Sequence, residues 1–345
     1  MQAFTAAQVI SPAINRTKEF LFRPFRWSTF LKLCAVGVIT EGFSGNFNFN
    51  NGHHRASAPA TGLNPLSLTP LNIAMAVFAL LLVIVICAAL LYLITRLRFA
   101  LFHCLIHRTR EISPGWRLYR EQSWRFFLLN LAVGFVFVLV VAAITIPFAI
   151  GIYHFFRTRV PGAQFDVVGF LALVLPLIPL VILFILAGMA IDVILRDLML
   201  PHMALENASA GAAWTAARAR IAAEQGGFFV YGLLRILLPI VAYVGIIIVL
   251  AIPLIIVFGS WGLIVAGLHS LTTDATRLTA FLLVPLEALF VLAGAALAIF
   301  LALIIGGPLS ICVRYYALLF YGGRYPMLGN ILSPPPPPAP VPATT

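Results

Sequence analysis

Charge is what this sequence has least of. Of its 345 residues only 10% are Asp, Glu, Lys or Arg, while 62% are hydrophobic. A soluble domain carries about a quarter charged residues, so this chain cannot cover a water-facing surface. That excludes a soluble globular enzyme and implies an all-α integral membrane protein. Cysteine is also scarce. Cys34, Cys87, Cys104 and Cys312 stand in or beside apolar segments at unrelated spacings, which excludes a disulfide framework, a zinc knuckle or a redox pair. Acidic residues are outnumbered, 11 against 22 basic ones. The basic excess lies beside apolar segments, where the positive-inside rule and anionic lipid account for it, so no nucleic-acid partner is expected. HExxH, GxSxG, Walker A and facing aspartate pairs are missing. No catalytic residue and no cofactor is assigned.

What is present is long apolar runs. A hydrocarbon core of about 30 Å takes ~20 helical residues. Five stretches reach that length: Leu71–Thr95, Phe126–Tyr153, Val167–Ile194, Ile236–Phe258 and Ala280–Ile305. A sixth, Trp27–Thr40, is short and carries Lys32. The first long run begins only near Leu71, so the start of the chain does not read as a cleavable signal. The linker 96–125 holds seven arginines and is therefore read as cytoplasmic. Arg16, Lys18, Arg23 and Arg26 prefer the same side. Both preferences are met if Trp27–Thr40 crosses, with Lys32 reaching back to the interface. The expectation is six crossings, five long and one short, with both termini cytoplasmic. Trp261–Leu268 is apolar enough to dip back into the membrane.

The organisation read from composition is a cytoplasmic entry helix at 1–26, one transmembrane domain at 27–322 and a proline-rich cytoplasmic tail at 323–345. Within the domain, 41–70 is an outer Gly/Asn-rich loop, and 96–125 and 196–227 are cytoplasmic helical linkers. The tail has polyproline II composition and offers a groove-binding partner a semi-rigid spacer. In the outer loop, His53 and His54 are adjacent, and His103 and His107 stand one helical turn apart. Neither pair has a third ligand nearby, so no metal site is assigned.

Three cytoplasmic stretches share a design. Ser11-Pro12 and Ser113-Pro114 read as N-cap and first helical position. Trp116, Tyr119, Ser123 and Phe127 share one face, opposite Arg117, Arg120, Glu121 and Arg125. The third stretch, Ala208–Gln225, sets Trp214 and Ile221 against Arg218 and Arg220. Such amphipathic helices lie in the headgroup layer with their arginines on phosphates. Arg98, Arg196 and Arg314 recur at three inward helix exits, R98FALFH, R196DLMLPH and R314YYALLF. The leads into two crossings end alike at Gly37 and Gly134. Three units of amphipathic helix plus hairpin would explain the pattern; independent selection for one interfacial chemistry would imitate it. Arg98, Arg117, Arg120, Arg125, Arg218, Arg220 and Arg314 are the expected contacts to anionic headgroups.

A charge at the bilayer centre costs at least ~2.5 kcal/mol, so each needs a reason. Glu287, beside Pro285, is the deepest acid of the last crossing, and Arg235 stands two turns into the fourth. In IDVILRDLMLPHMALE, Asp192, Arg196, Asp197 and His202 follow a run, Val167 to Ile191, without a charge. Asp192 and Arg196 are spaced for an i, i+4 ion pair. Pro201 is expected to break that helix so that Asn207 or Ser209 starts the next, and Arg235 to snorkel or pair with Asp192. Two readings of Glu287 stay open. Either it carries a proton or cation in a cavity, or it is hydrogen-bonded to a neighbouring helix.

The stretches RTKEFLFRPFRWSTFLKL, LRDLMLPHMALENASAGAAW and VRYYALLFYGG resemble an uncharacterised group of bacterial multi-pass proteins. That group is similar to the membrane domain attached to some glycerophosphodiester phosphodiesterases. The resemblance implies a bacterial inner membrane and an all-helical fold of roughly six crossings. It does not bring the phosphodiesterase activity, whose acidic metal-binding barrel has no counterpart here. The leading expectation is a non-enzymatic inner-membrane protein that organises or anchors a partner or lipid through its basic amphipathic helices. The alternative is a small-solute or lipid transporter using Glu287 and the Asp192/Arg196 region. A lipid-headgroup enzyme holding Asp192, Asp197 and His202 in one cavity is third.

Overall fold

Long uninterrupted apolar runs leave the backbone one way to satisfy its polar groups away from water, which is helix. The computed structural model describes residues 4–42, 70–157, 166–273 and 277–333, and every regular element among them is helical. In chain order these are α1 (Ile10–Phe22), α2 (Trp27–Gly42), α3 (Pro70–His107), α4 (Ile112–Leu118), α5 (Arg120–Arg157), α6 (Val167–Val174) and α7 (Leu177–Val193). A π-helical stretch, Ile194–Met199, leads into α8 (Leu200–Leu205), α9 (Ala210–Ala223), α10 (Gln225–Thr273), α11 (Arg277–Gly322) and α12 (Pro326–Leu332). His53, His54 and the proline-rich residues 334–345 lie outside the described residues.

Five helical runs are long and apolar enough to cross a membrane: Ala74–His107, Arg120–Arg157, Val167–Leu205, Gln225–Thr273 and Phe281–Gly322. The chain is thus an all-α, multi-pass membrane protein. Almost nothing in the most apolar windows is buried by the protein itself, 6% at most. That is what lipid-facing helices show, since acyl chains solvate leucine as well as another leucine does.

The chain forms two compact units. One comprises Met1–Glu41, Leu105–Arg110 and Ala219–Thr345; the other, Gly42–Cys104 and Glu111–Arg218. In the first, α10 and α11 run antiparallel. Tyr231 stacks on Phe320 at 4.2 Å, and farther along Trp261 donates to the Phe290 carbonyl at 3.1 Å. The burial is concentrated near one end, where α1, α2 and α12 pack on the last turns of α11. A Cβ on Gly307 would overlap that of Cys34, so only glycine lets α2 lie this close to α11.

The short sixth stretch, α2, is not among these five runs. α2 spans 16 residues, about 24 Å at 1.5 Å per residue, short of a ~30 Å core. Cys34 and Val38 of α2, one turn apart, meet neighbouring residues Gly307 and Gly306, so α2 crosses α11 steeply instead of running beside it. Its last turn then returns Glu41 to Arg235, ten residues after α10 begins.

In the second unit the buried side chains lie around residues 94–104, 119–127 and 195–204, and α3 is bare from Ala74 to Val85. Pro201 does not break its helix. One continuous run extends to Leu205, because the widened π turn just before Pro201 loosens the i−4 carbonyl contact that a proline ring would strike. The break comes at Asn207, whose φ of 50° is left-handed, and Ser209 accepts from the Ala212 N–H to start α9. Ser11 and Ser113 each fall one residue inside their helices instead of capping them. Trp261–Leu268 does not dip back, since α10 continues to Thr273. Gly37 packs on Ile311 while Gly134 has nothing within 4 Å, so the two similar leads serve different ends.

Candidate functional site

In the second unit, the end of α7 and the π turn gather Asp192, Arg196 and Asp197. Arg196 lies 3.3 Å from Asp192 and its Nε 3.6 Å from Asp197, while Arg98 of α3 approaches Asp192 at 3.9 Å. The side chains of Arg196 and Asp197 are 5% and 0% accessible. The cluster is therefore an ion-pair network buried at Arg196 and Asp197 and open at Asp192, which is 25% accessible. Such networks fix register more than they add stability, because desolvation offsets most of the attraction. His202 is buried on α8, with its Nδ1 3.2 Å from Glu206. Glu206 is the residue that caps the end of α8. No group of three or more His, Cys, Asp or Glu suited to a metal occurs among the described residues.

The first unit holds a second buried pair. Arg235 donates to Glu41 at 2.9 Å, both side chains under a tenth accessible. Sequence reasoning missed Glu41, having placed it in the outer loop. The available signal was that Arg235, alone in an apolar run, needs a carboxylate. At the far end of α11, Arg324 makes a two-pronged bond to Glu224 at 2.6 and 2.7 Å and lies 4.0 Å over the Phe320 ring. That bond holds the Glu224 carboxyl below its ordinary value. Arg16 donates to Ser333 at 3.0 Å, and Arg324 to the Phe4 carbonyl at 3.2 Å, so the two described ends of the chain meet in this unit. Burial, then the neighbouring charge of Arg108, pulls the Arg16 guanidinium below its ordinary value.

Glu287 lies elsewhere along the hairpin. Its carboxylate is 2.9 Å from His269 Nδ1 and accepts from Thr272 at 3.1 Å, both on α10. His269 is 72% accessible. Between Glu287 and Arg314, α11 carries no charge over 26 residues, 288–313, about 39 Å of helix. The facing part of α10 is likewise uncharged from Ile236 to Leu268. A ~30 Å core fits within that stretch, with Glu287 next to its start. Gly294, one turn beyond Phe290, gives room to the Trp261 indole, 2.6 Å from where a Cβ would stand.

The seven arginines expected on headgroups divide by exposure. Arg117, Arg120, Arg125 and Arg218 are exposed, beside Leu118, Trp124 and Trp214, which are 61, 50 and 44% accessible. Arg98 and Arg314 are corrections. Their accessibility is 11% for the Arg98 side chain and 2% for Arg314, so both are turned into the protein. Arg220 is half-buried over the Tyr325 ring at 4.9 Å. Arg96, not singled out from the sequence, stacks on Trp116 at 4.2 Å and donates to its carbonyl, fixing α4 on α3. α9 is less amphipathic than expected. Its buried residues are Ala213 and Ala217, and Trp214 points outward.

Between α5 and α7 an open groove of about 400 Å³ is lined by Ala132, Val133, Val136, Phe137, Val140 and Ile191, all apolar. It lacks the polar groups that a hydrophilic solute would need. A model of a family of unknown function, DUF7544, matches residues 4–331, nearly the whole chain, and the chain belongs to that family. No curated protein and no solved structure matches it.

Proposed function

We propose, for a chain whose family has no assigned function, a non-enzymatic role in the bacterial inner membrane. It would anchor or organise anionic lipid, and a protein partner with it, through the basic surface at the helix ends. The observation that carries this reading is at the junction of α4 and α5. Arg117, Arg120 and Arg125 are exposed alongside Leu118 and Trp124. That mixture belongs at the headgroup level of a bilayer, with rings in the acyl boundary and guanidinium groups on phosphates. Arg218 and Trp214 repeat it on α9. The positive-inside rule makes the side of these arginines cytoplasmic, and the same rule applied separately to Arg16, Lys18, Arg23 and Arg26 puts the start of the chain in the cytoplasm. The likeness to the membrane domain of some glycerophosphodiester phosphodiesterases belongs to the same proposal, as a likeness of helical scaffold without the activity.

The transport reading needed a wet cavity at Glu287, and the interhelical bonds to His269 and Thr272 favour the anchoring one. The test is native mass spectrometry of lipid retained by the purified full chain. Replacing Arg117, Arg120, Arg125 and Arg218 by glutamine is expected to weaken a preference for phosphatidylglycerol over phosphatidylcholine. An unchanged preference overturns the reading.

A further inference from the structure

The corner between α1 and α2 carries a surface that the arginines above do not include. Phe22, Phe25 and Trp27 are 47, 42 and 58% accessible, although they are among the largest apolar side chains of the unit. They are not loose. Phe22 stacks on Phe25 at 6.1 Å, and Trp27 meets Phe25 edge-on at 4.9 Å. All three also touch the buried ring of Phe30, at 5.6, 5.5 and 6.1 Å. Exposed Arg23, Arg26 and Lys32 stand among them.

The backbone under this cluster is clamped from outside. Arg110 donates to the carbonyl of Phe20 at 2.9 Å, to that of Pro24 at 2.6 Å, and to that of Arg23. One planar guanidinium thus satisfies three carbonyls where α1 ends, carbonyls that no helical N–H can reach. The shape of the corner is set before any partner arrives.

Its depth is set as well. The ring of Phe20 meets Tyr315 at 5.9 Å, and Tyr315 follows Arg314, the residue that ends the charge-free stretch of α11. The corner therefore stands at the edge of the hydrocarbon. Rings interleaved with cations at that level match the composition of a bilayer's headgroup belt.

We propose that the α1–α2 corner is a preformed anchor for an anionic bilayer interface. Phe22, Phe25 and Trp27 enter the acyl boundary, Arg23, Arg26 and Lys32 meet lipid phosphates, and Arg110 is the positioning residue. The proposal shares the anionic leaflet with the reading above but rests on different residues. The two can therefore fail separately: glutamine at Arg117, Arg120, Arg125 and Arg218 tests that reading and leaves this corner intact.

The experiment uses the full chain in nanodiscs of phosphatidylglycerol and phosphatidylcholine, with Trp27 as sole tryptophan after Trp116, Trp124, Trp214 and Trp261 are changed to Phe. Trp27 emission should be blue-shifted and quenched more by bromines placed near the headgroup than by bromines near the bilayer centre. Arg110→Gln should reduce that depth preference at unchanged helix content, with Arg110→Lys between the two. Arg23→Gln, Arg26→Gln and Lys32→Gln together should weaken retention of phosphatidylglycerol by at least ~tenfold. If the sole-tryptophan chain does not fold, the difference in quenching between wild type and Trp27→Phe gives the same readout. Water-like, unquenched Trp27 emission overturns the proposal, and so does strongest quenching at the bilayer centre. Unchanged phosphatidylglycerol retention in the triple variant overturns the phosphate contacts.

Discussion

Arg235 donates to Glu41 across 2.9 Å, and this bond ties the last turn of α2 to the third turn of α10. Both side chains are nearly closed to solvent. Removing one partner from a buried pair leaves the other charge in low dielectric, at a cost of about 3 kcal/mol. Glu41→Ala should lower thermal stability by an amount of that order, and Glu41→Gln by less, because an amide still accepts from the guanidinium. Equal stability of wild type and Glu41→Ala in a thermal-shift assay would mean that the pair does not hold α2.

The same geometry makes a topological prediction. Single cysteines at Ser28 and Gly42, in a chain cleared of Cys34, Cys87, Cys104 and Cys312, should react with impermeant maleimide from one side only. Reaction from opposite sides would restore α2 as a complete passage. Ends on one side of a membrane require an even number of passages. Reporter fusions at Gly42 and Pro70 therefore decide whether a passage is made between these residues or whether one of the five long helices is incomplete.

Gly307 is the contact on which α2 rests. A side chain there would overlap Cys34, and overpacking of this kind costs typically about 1–3 kcal/mol. Gly307→Ala should destabilise at the upper end of that range, and Cys34→Gly in the same chain should recover only part of the loss, because the Cys34 Cα also lies 2.7 Å from the added Cβ. Additive effects in the double variant would place the clash elsewhere.

The bond between Glu287 and His269 joins two partly exposed residues, so it should matter little to folding. A double-mutant cycle of Glu287→Ala and His269→Ala should give a coupling of about 1 kcal/mol or less. A much larger coupling would return Glu287 to a buried, low-dielectric site.

Glu224 gives a pH signature. Its carboxyl is held below the ordinary value chiefly by the Arg324 hydrogen bond. A depressed folded-state value gives stability that is complete above the unfolded value and lost as pH falls through the folded one. Because the Glu224 side chain is 47% accessible, the contribution stays under about 1 kcal/mol. Wild type should exceed Glu224→Gln by that margin above about pH 5, and the two should converge only as pH falls through the lowered folded-state value. A constant difference across the range would assign the effect to packing on Phe320 instead.

Much of the chain was legible before any coordinates. Long uncharged runs can do little but form helices across lipid, and their charges at one end can do little but mark the membrane boundary. Spacing also placed the Asp192–Arg196 pair, since residues four apart face each other on any helix. Partners distant in sequence were not legible. Glu41 with Arg235, Arg110 with the end of α1, and His269 with Glu287 depend on which helices approach, and glycines such as Gly307 decide that through close packing. Exposure was hidden for the same reason. Arg98, Arg314 and Arg125 look alike in sequence, yet neighbouring helices cover the first two and leave the third exposed. Composition thus determined membrane residence and helicity, because solvation by lipid acts on each residue separately. Packing alone decided that α2 lies against α11 and that Glu287 bonds to His269 and Thr272, because both follow from contacts between helices far apart in the chain.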